Sequence, residues 1–245
     1  MSLRLLAATA ALVLCASARA TAAGPPKKLL VVTVTKGFRH DSIPTLERVV
    51  TQLGLESGAY VADAARTDEE LAAKATVAAL AGYDGVVFAS TTGDLPLPDR
   101  DGFLKWIEAG HAFVGIHAAT DTYHDFAPYI SMIGGEFDQH GPQVEVSVQV
   151  QDPGHPATKG LGKSFKVYDE IYQFRSFDRS LVHMLLALDR HPNEGTPGYY
   201  PLAWSKAYGT GRVFYTALGH REDVLEAPWY KEHLKGGILW ALGLR

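Results

Sequence analysis

The 245-residue chain has a single cysteine, Cys15, and it lies in an apolar run near the start. If that run is removed as a leader, no thiol remains, which excludes disulfides, cysteine nucleophiles and thiolate metal sites. Basic charge is also in short supply. The 23 Lys and Arg residues stand against 27 Asp and Glu, a formal charge of −4 with no basic stripe, so nucleic acid is not an expected partner. No apolar run reaches the roughly 20 residues that cross a bilayer. Internal repeats, low-complexity tracts and linkers are missing as well.

The first residues carry their own message. Arg4, the apolar residues 5–16 and the small-x-small Ala18-Arg-Ala20 predict a Sec-type signal peptide over residues 1–23, hence a periplasmic or secreted protein with no membrane partner after processing. Lipidation of Cys15 is the alternative, and bulky Leu14 stands against it. Loss of Arg4 and Arg19 takes the charge to about −6. The remainder is long enough for one sizeable core and short for two, and residues 28–243 are read as one domain. Nothing in the sequence sets an oligomeric state.

Strand and helix patterns alternate through the first half. Residues 29–34, 85–89 and 112–116 are apolar runs without alternation, as expected of strands buried on both faces of a parallel sheet. Residues 60–62 read as a short strand. Between these runs, Ser42 and Pro44 open a helix with Leu46, Val49, Val50 and Leu53 on one face, ended by Gly54. Thr67-Asp-Glu-Glu70 is a capping box for a helix reaching Leu80. Asp99 caps another, with Phe103, Trp106 and Ile107 inward. The pattern predicts an α/β fold: a doubly wound, mostly parallel, flavodoxin-like three-layer sheet flanked by helices. Residues 144–150, 165–174, 181–188 and 201–206 predict extra antiparallel strands in the second half. An apolar strand over 211–217 and a helix over 228–242, with Gly243 at its C′ position, close the chain.

Ligands of open α/β sheets sit beyond the carboxyl ends of the strands. Four loops are expected there: 37–41, 91–94, 117–124 and 220–223. A lone histidine at such a place is ordinarily a surface or hydrogen-bonded structural residue; His40, His117 and His220 together point to a shared pocket. Imidazole as a side-chain type suits general acid–base work near neutral pH, which makes His117 a candidate general base or acid. Asp121, a turn later, either orients it, binds a substrate hydroxyl or caps the next segment. His220-Arg-Glu222 joins an imidazole to a carboxylate for acid–base work or metal ligation, although Glu222 reads equally as a surface charge.

Glu170 and Tyr172 share a face if Tyr168-Asp-Glu-Ile-Tyr-Gln-Phe174 is a strand. A carboxylate beside aromatic rings suits a carbohydrate pocket; an ordinary half-buried strand is the alternative. His140, in the glycine-rich Gly134-Gly-Glu-Phe-Asp-Gln-His-Gly141, either reaches over the site or ligates a metal. Thr92, Gly93 and Asp94 are further substrate-binding candidates. Zinc or another divalent ion on His40, His117, His140 or His220 is an option, without support from any H-x-x-x-H or H-E-x-x-H spacing. His111, His155, His183, His191 and His233 are assigned to loops or surfaces.

Six motifs in order resemble the ThuA-like (trehalose utilisation) family: Gly37-Phe-Arg-His40, Thr92-Gly-Asp94, Gly115-Ile-His-Ala-Ala-Thr-Asp121, Gly134-Gly-Glu-Phe137, Asp169-Glu-Ile-Tyr172 and Gly211-Arg-Val-Phe-Tyr-Thr-Ala-Leu-Gly-His220. The resemblance spans about residues 28–243 and implies the class I glutamine amidotransferase-like fold. True amidotransferases place a cysteine nucleophile on a Gly-x-Cys-x-Gly elbow at this strand end, completed by a later His-x-Glu. Here the elbow is Gly115-Ile-His-Ala-Ala119, with His117 at the thiol position, and His220-Arg-Glu222 resembles the His-x-Glu. An imidazole does not replace the acyl-forming thiol, so glutamine hydrolysis is not expected. The resemblance implies carbohydrate metabolism, with a trehalose-related disaccharide or keto-sugar as the small-molecule partner. The expected activity is a hydrolase, lyase or isomerase step, with His117 and His220 as acid–base groups and Asp121 and Glu170 orienting. His40, Thr92, Gly93, Asp94, His140 and Tyr172 would bind substrate. The alternative is a non-catalytic carbohydrate-binding module.

Overall fold

The computed structural model describes residues 24–244; the expected signal peptide and Cys15 lie outside them. The first half runs β1 (Lys27–Val32), α1 (Ile43–Ser57), β2 (Tyr60–Ala65), α2 (Asp68–Lys74), α3 (Val77–Leu80), β3 (Gly85–Ala89), α4 (Arg100–Glu108) and β4 (Ala112–Ile116). A 3₁₀ turn over His117–Asp121 follows, then α5 (Ala127–Ile133), β5 (Glu136–His140), β6 (Val144–Val150), β7 (Ser164–Asp169) and β8 (Tyr172–Arg175). The chain ends with β9 (His183–Arg190), β10 (Pro197–Tyr208), β11 (Gly211–Thr216), α6 (Glu222–Glu226) and α7 (Pro228–Ala241).

Nine strands form one mixed sheet in the order β2-β1-β3-β4-β11-β10-β9-β6-β7, and β5 pairs with β8 in a small second sheet. The five strands from β2 to β11 are parallel and the rest antiparallel. Side chains alternate across the sheet. Leu29 and Val31 enter one core with α1 and α7, while Leu30 and Val32 enter the other with α4 and α5. Helices on both faces give the three layers that the apolar parallel strands require.

Several local expectations need correction. The Ser42 hydroxyl makes no capping bond, and α1 passes Gly54 to end at Gly58, which takes the left-handed conformation. The segment to Leu80 is two helices, because Thr76 is extended and caps α3 through the Ala79 N–H. Residues 165–174 are not one strand: β7 stops at Asp169 in the main sheet, and β8 starts at Tyr172 in the other. The glycine-rich stretch bearing His140 is β5 rather than a loop. His155 lies in the β6–β7 loop, as expected, though buried there, whereas His233 is on neither loop nor surface: it is buried in α7, where its ring bonds the Ala157 carbonyl and the Thr216 hydroxyl.

On a flat sheet β7 would lie four spacings, roughly 19 Å, from β11. Yet the Asp169 carboxylate at the end of β7 accepts the N–H of Gly219, just past β11, at 2.8 Å. The antiparallel half therefore curls back over the parallel half. Register shifts along β9–β10 supply the local bends such a curl needs. The curl brings the β7–β8 turn onto the carboxyl edge of the parallel strands.

Candidate functional site

The parallel pairing of β4 with β11 sets Ile116 opposite Thr216, so His117 and Ala217 leave the sheet side by side. His117 has φ +48, a left-handed conformation that costs a non-glycine residue about 1–3 kcal/mol. Its surroundings hold it there. The His117 carbonyl accepts the Tyr215 hydroxyl, and Nδ1 bonds the Ala217 carbonyl, both at 2.7 Å. Gly115 permits the tight turn: a Cβ there would stand 3.0 Å from both Ile133 Cδ1 and Tyr215 Cδ2.

A carbonyl only accepts, so His117 Nδ1 carries the hydrogen and Nε2 in the neutral ring presents a lone pair. That Nε2 lies 3.2 Å from His220 Nδ1 and 3.4 Å from Glu170 Oε2. His220 Nδ1 is itself 3.1 Å from Glu170 Oε2. His40, from the β1–α1 loop, sets its ring edge-on to both imidazoles at 4.8 and 5.2 Å, and its buried Nδ1 has no partner. The hydrogen bond and charge of Glu170 raise the His220 pKa. Burial opposes ionisation of Glu170, but bonding to His220, and to His117 whenever that ring carries a second proton, holds its carboxyl well below the usual range. Burial, helped by repulsion from the other two histidines, lowers His40 to about 3 and keeps it neutral. One ligand-type atom each of His40, His117, Glu170 and His220 lies within 4.8 Å of the others, the one such group among the described residues close enough to share a metal ion.

A cavity of about 320 Å³ opens onto this cluster, lined by Phe38, His40, Asp121, Phe137, His140, Glu170, Tyr172 and His220. His140 Nδ1 stands 3.3 Å from Glu170 Oε1. Tyr172 is buried, its ring 4.3 Å from those of His117 and Phe137. His117 is fully buried and does not line the cavity. A second hollow of about 470 Å³ shares Phe38, His40 and His220 and continues past Arg221 and Glu222.

Other expected residues fall elsewhere. The partner of His220 is Glu170, not Glu222, which begins α6 and bonds Thr45. Asp121 does not orient His117; it reaches the cavity wall paired with His124 Nε2 at 2.7 Å. Thr92 shapes the first loop, accepting the Gly37 N–H and donating to the Phe38 carbonyl. Gly93, at φ +70, packs on Lys36 and Gly37. Asp94 points to solvent beside Arg100, its side chain 61% exposed.

Two features escape a reading of the sequence. Asp169, fully buried, accepts the N–H groups of Gly219, Glu170 and Arg221, tying the loop of His220 to the turn of Glu170. Burial pushes its carboxyl above the usual value despite those bonds. Behind Asp121 runs a chain through His124 and Glu136 to Arg175. Bonding to Arg175 draws Glu136 down to about 2. Burial opposes the charge on His124, yet its two carboxylate partners raise its pKa. Asp169 and Glu136 sit inside motifs quoted above; their partners, far along the chain, could not be read there.

Comparison with known proteins adds the family. Solved structures with the same fold include a ThuA-like protein of Parabacteroides merdae ATCC 43184, with TM-score 0.73 and 19% identity over 89% of this chain and 91% of that one. One from Bacteroides uniformis ATCC 8492 matches with TM-score 0.73 and 23% identity, covering 91% and 94%. A cytoplasmic protein of Salmonella typhimurium LT2, STM1381, matches at 0.61 and 13%, covering 87% and 99%. At these identities the likeness is one of fold. No curated protein matches the chain. The family model for ThuA, described as trehalose utilisation, covers residues 28–241, and the chain belongs to that family.

Proposed function

We propose that the protein is an enzyme acting on a carbohydrate or keto-sugar by histidine and carboxylate acid–base chemistry, at the cavity bounded by His40, Glu170 and His220. The observation that carries this reading is the convergence of three loops and the β7–β8 turn. They bring three imidazoles and a carboxylate together beneath a solvent-open, aromatic-walled cavity. Pairs of groups whose surroundings push their protonation apart mark acid and base. His40 lines the cavity and offers the lone pair that takes a proton from beside a carbonyl, the adjacent Glu170 carboxylate favouring the imidazolium that forms against the burial that opposes it. His220, whose protonated form Glu170 favours, supplies the hydrogen bond and positive charge that stabilise the oxyanion formed. Tyr172 and Phe137 offer ring faces to a sugar, and Asp121 and His140 offer polar groups to its hydroxyls. His117, out of reach of the cavity, is a positioning residue. Glutamine hydrolysis has no thiol to start it, since residue 117 is a histidine. The apolar segment before Ala18 supports a periplasmic or secreted location.

The test is turnover of trehalose, 3-keto-trehalose and simple glucosides by the wild type and by His40→Ala and Glu170→Gln. Conversion of a keto-sugar that both substitutions lower by about 10²–10⁴-fold, the usual weight of one acid–base group, supports the reading. Sugar binding without turnover, unchanged in the variants, would make the protein a carbohydrate-binding module instead.

A further inference from the structure

We infer that His117, Glu170 and His220 are the ligands of a divalent transition-metal ion, zinc by chemistry, and that His40 faces the ion's open position. This rests on the reading above that the cluster is the working centre and deepens it: the positive charge opposite His40 is a metal rather than a shared proton.

The first ground is geometric. The three facing atoms are separated by 3.2, 3.4 and 3.1 Å. A tetrahedral ion with bonds of about 2.0–2.1 Å spaces its ligands about 3.3 Å apart, so the triangle already has the size of one tetrahedral face. The second ground is orientation. His117 Nδ1 gives its hydrogen to the Ala217 carbonyl, the outer bond that fixes a ligating imidazole and frees its other nitrogen. Asp169 pins the backbone of the other two ligands by bonding the N–H groups of Glu170 and of Gly219 and Arg221, on either side of His220. The third ground is access. A fully buried His117 cannot touch a substrate, yet its lone pair points at two other donors. A ligand needs that placement; an acid–base group does not.

The donor set narrows the metal. Two imidazoles and one carboxylate form the set of open zinc sites, whose fourth position holds water or substrate. With no thiolate, soft ions lose their preferred donor, while magnesium and calcium prefer all-oxygen sets. The ion would act as a Lewis acid on a carbonyl oxygen of the sugar.

The full-length chain, stripped with chelator and dialysed, is titrated with zinc by calorimetry and with cobalt(II) by visible absorption. One ion per chain and the intense bands of tetrahedral cobalt are expected. Glu170→Gln and His220→Ala should each weaken zinc by more than the roughly 10–100-fold that loss of an outer-shell partner causes. His183→Gln, at a surface histidine beside Asp152, should leave it unchanged. Far-UV circular dichroism checks that each variant folds, and the wild-type titration stands without them. No zinc binding by the wild type, or equal binding by folded ligand variants, overturns the inference. The two readings fail separately. Tight zinc binding without sugar turnover removes the function and keeps the site. Turnover by a metal-free chain, unaffected by chelation, removes the site and keeps the function.

Discussion

Replacing Asp169 by Asn tests whether one buried carboxylate holds the site together. Its two oxygens accept N–H groups from Gly219 at 2.8 Å, Glu170 at 3.0 Å and Arg221 at 3.3 Å. Asparagine keeps the shape but turns one oxygen into an NH₂ group, which only donates. With its remaining oxygen toward Glu170 and Arg221, the NH₂ faces the Gly219 N–H and leaves that buried donor unmet. One such orphan costs about 1–3 kcal/mol, and the two surviving bonds lose their charge assistance. Against this, a neutral side chain escapes the burial that pushes the Asp169 carboxyl upward. A net loss of about 2 kcal/mol lowers Tm by about 4–8 °C in a chain of this size. Because the same carboxylate sets the loop of His220 against the turn of Glu170, kcat falls too. Thermal unfolding followed by circular dichroism, with steady-state kinetics, reads both effects, and Asp94→Asn on the exposed side is the control. An Asp169→Asn chain with Tm within about 1 °C of wild type and unchanged kcat would refute the reasoning.

Acid should destabilise the fold through His233. Burial lowers its pKa from 6.5 to about 4, so below 6.5 the unfolded chain binds a proton that the folded chain refuses. Stability is full above that pH and falls by about 3 kcal/mol as pH drops toward 4. In urea unfolding, the gap between wild type and His233→Gln should narrow by about that amount. Trp204→Ala should cost about 3–5 kcal/mol in the same assay, since the ring is fully buried and its Nε1 donates to the Ile133 carbonyl at 2.7 Å. Glu136→Gln loosens the chain from Arg175 to Asp121. It should raise KM for the proposed sugar substrate while leaving kcat largely intact, and because Glu136 is buried among His124, Arg175 and Ser176 it should also cost about 1–3 kcal/mol in urea unfolding.

The parallel half of the sheet is legible in the sequence because each of its inner strands is buried on both faces. Residues 85–89 and 112–116 match β3 and β4 with no alternation to confuse them, and the loops after them fall at the carboxyl edge by topology alone. The antiparallel half obeys a different constraint. β7 and β8 read as one strand because the break at Glu170 and Ile171 is imposed by the curl of the sheet, not by a glycine or proline. Ser42 misleads for a similar reason: the residue type suits a cap, but the local chain leaves its hydroxyl buried and unbonded. At the site, the residue types and their loops can be read in advance. Which carboxylate meets which imidazole cannot, since Glu170 and Glu222 both suit His220 until the curl of the sheet decides. Asp169 shows the limit most plainly, for two of its three partners lie about fifty residues away.

The claim that this cluster moves protons on a keto-sugar is tested most directly by solvent exchange. 3-Keto-trehalose is incubated with the protein in D₂O, and deuterium at the carbons beside the carbonyl is followed by NMR. The account predicts incorporation well above the buffer rate by the wild type, lost in folded His40→Ala. Incorporation at the buffer rate by the wild type, or undiminished incorporation by His40→Ala, would contradict it.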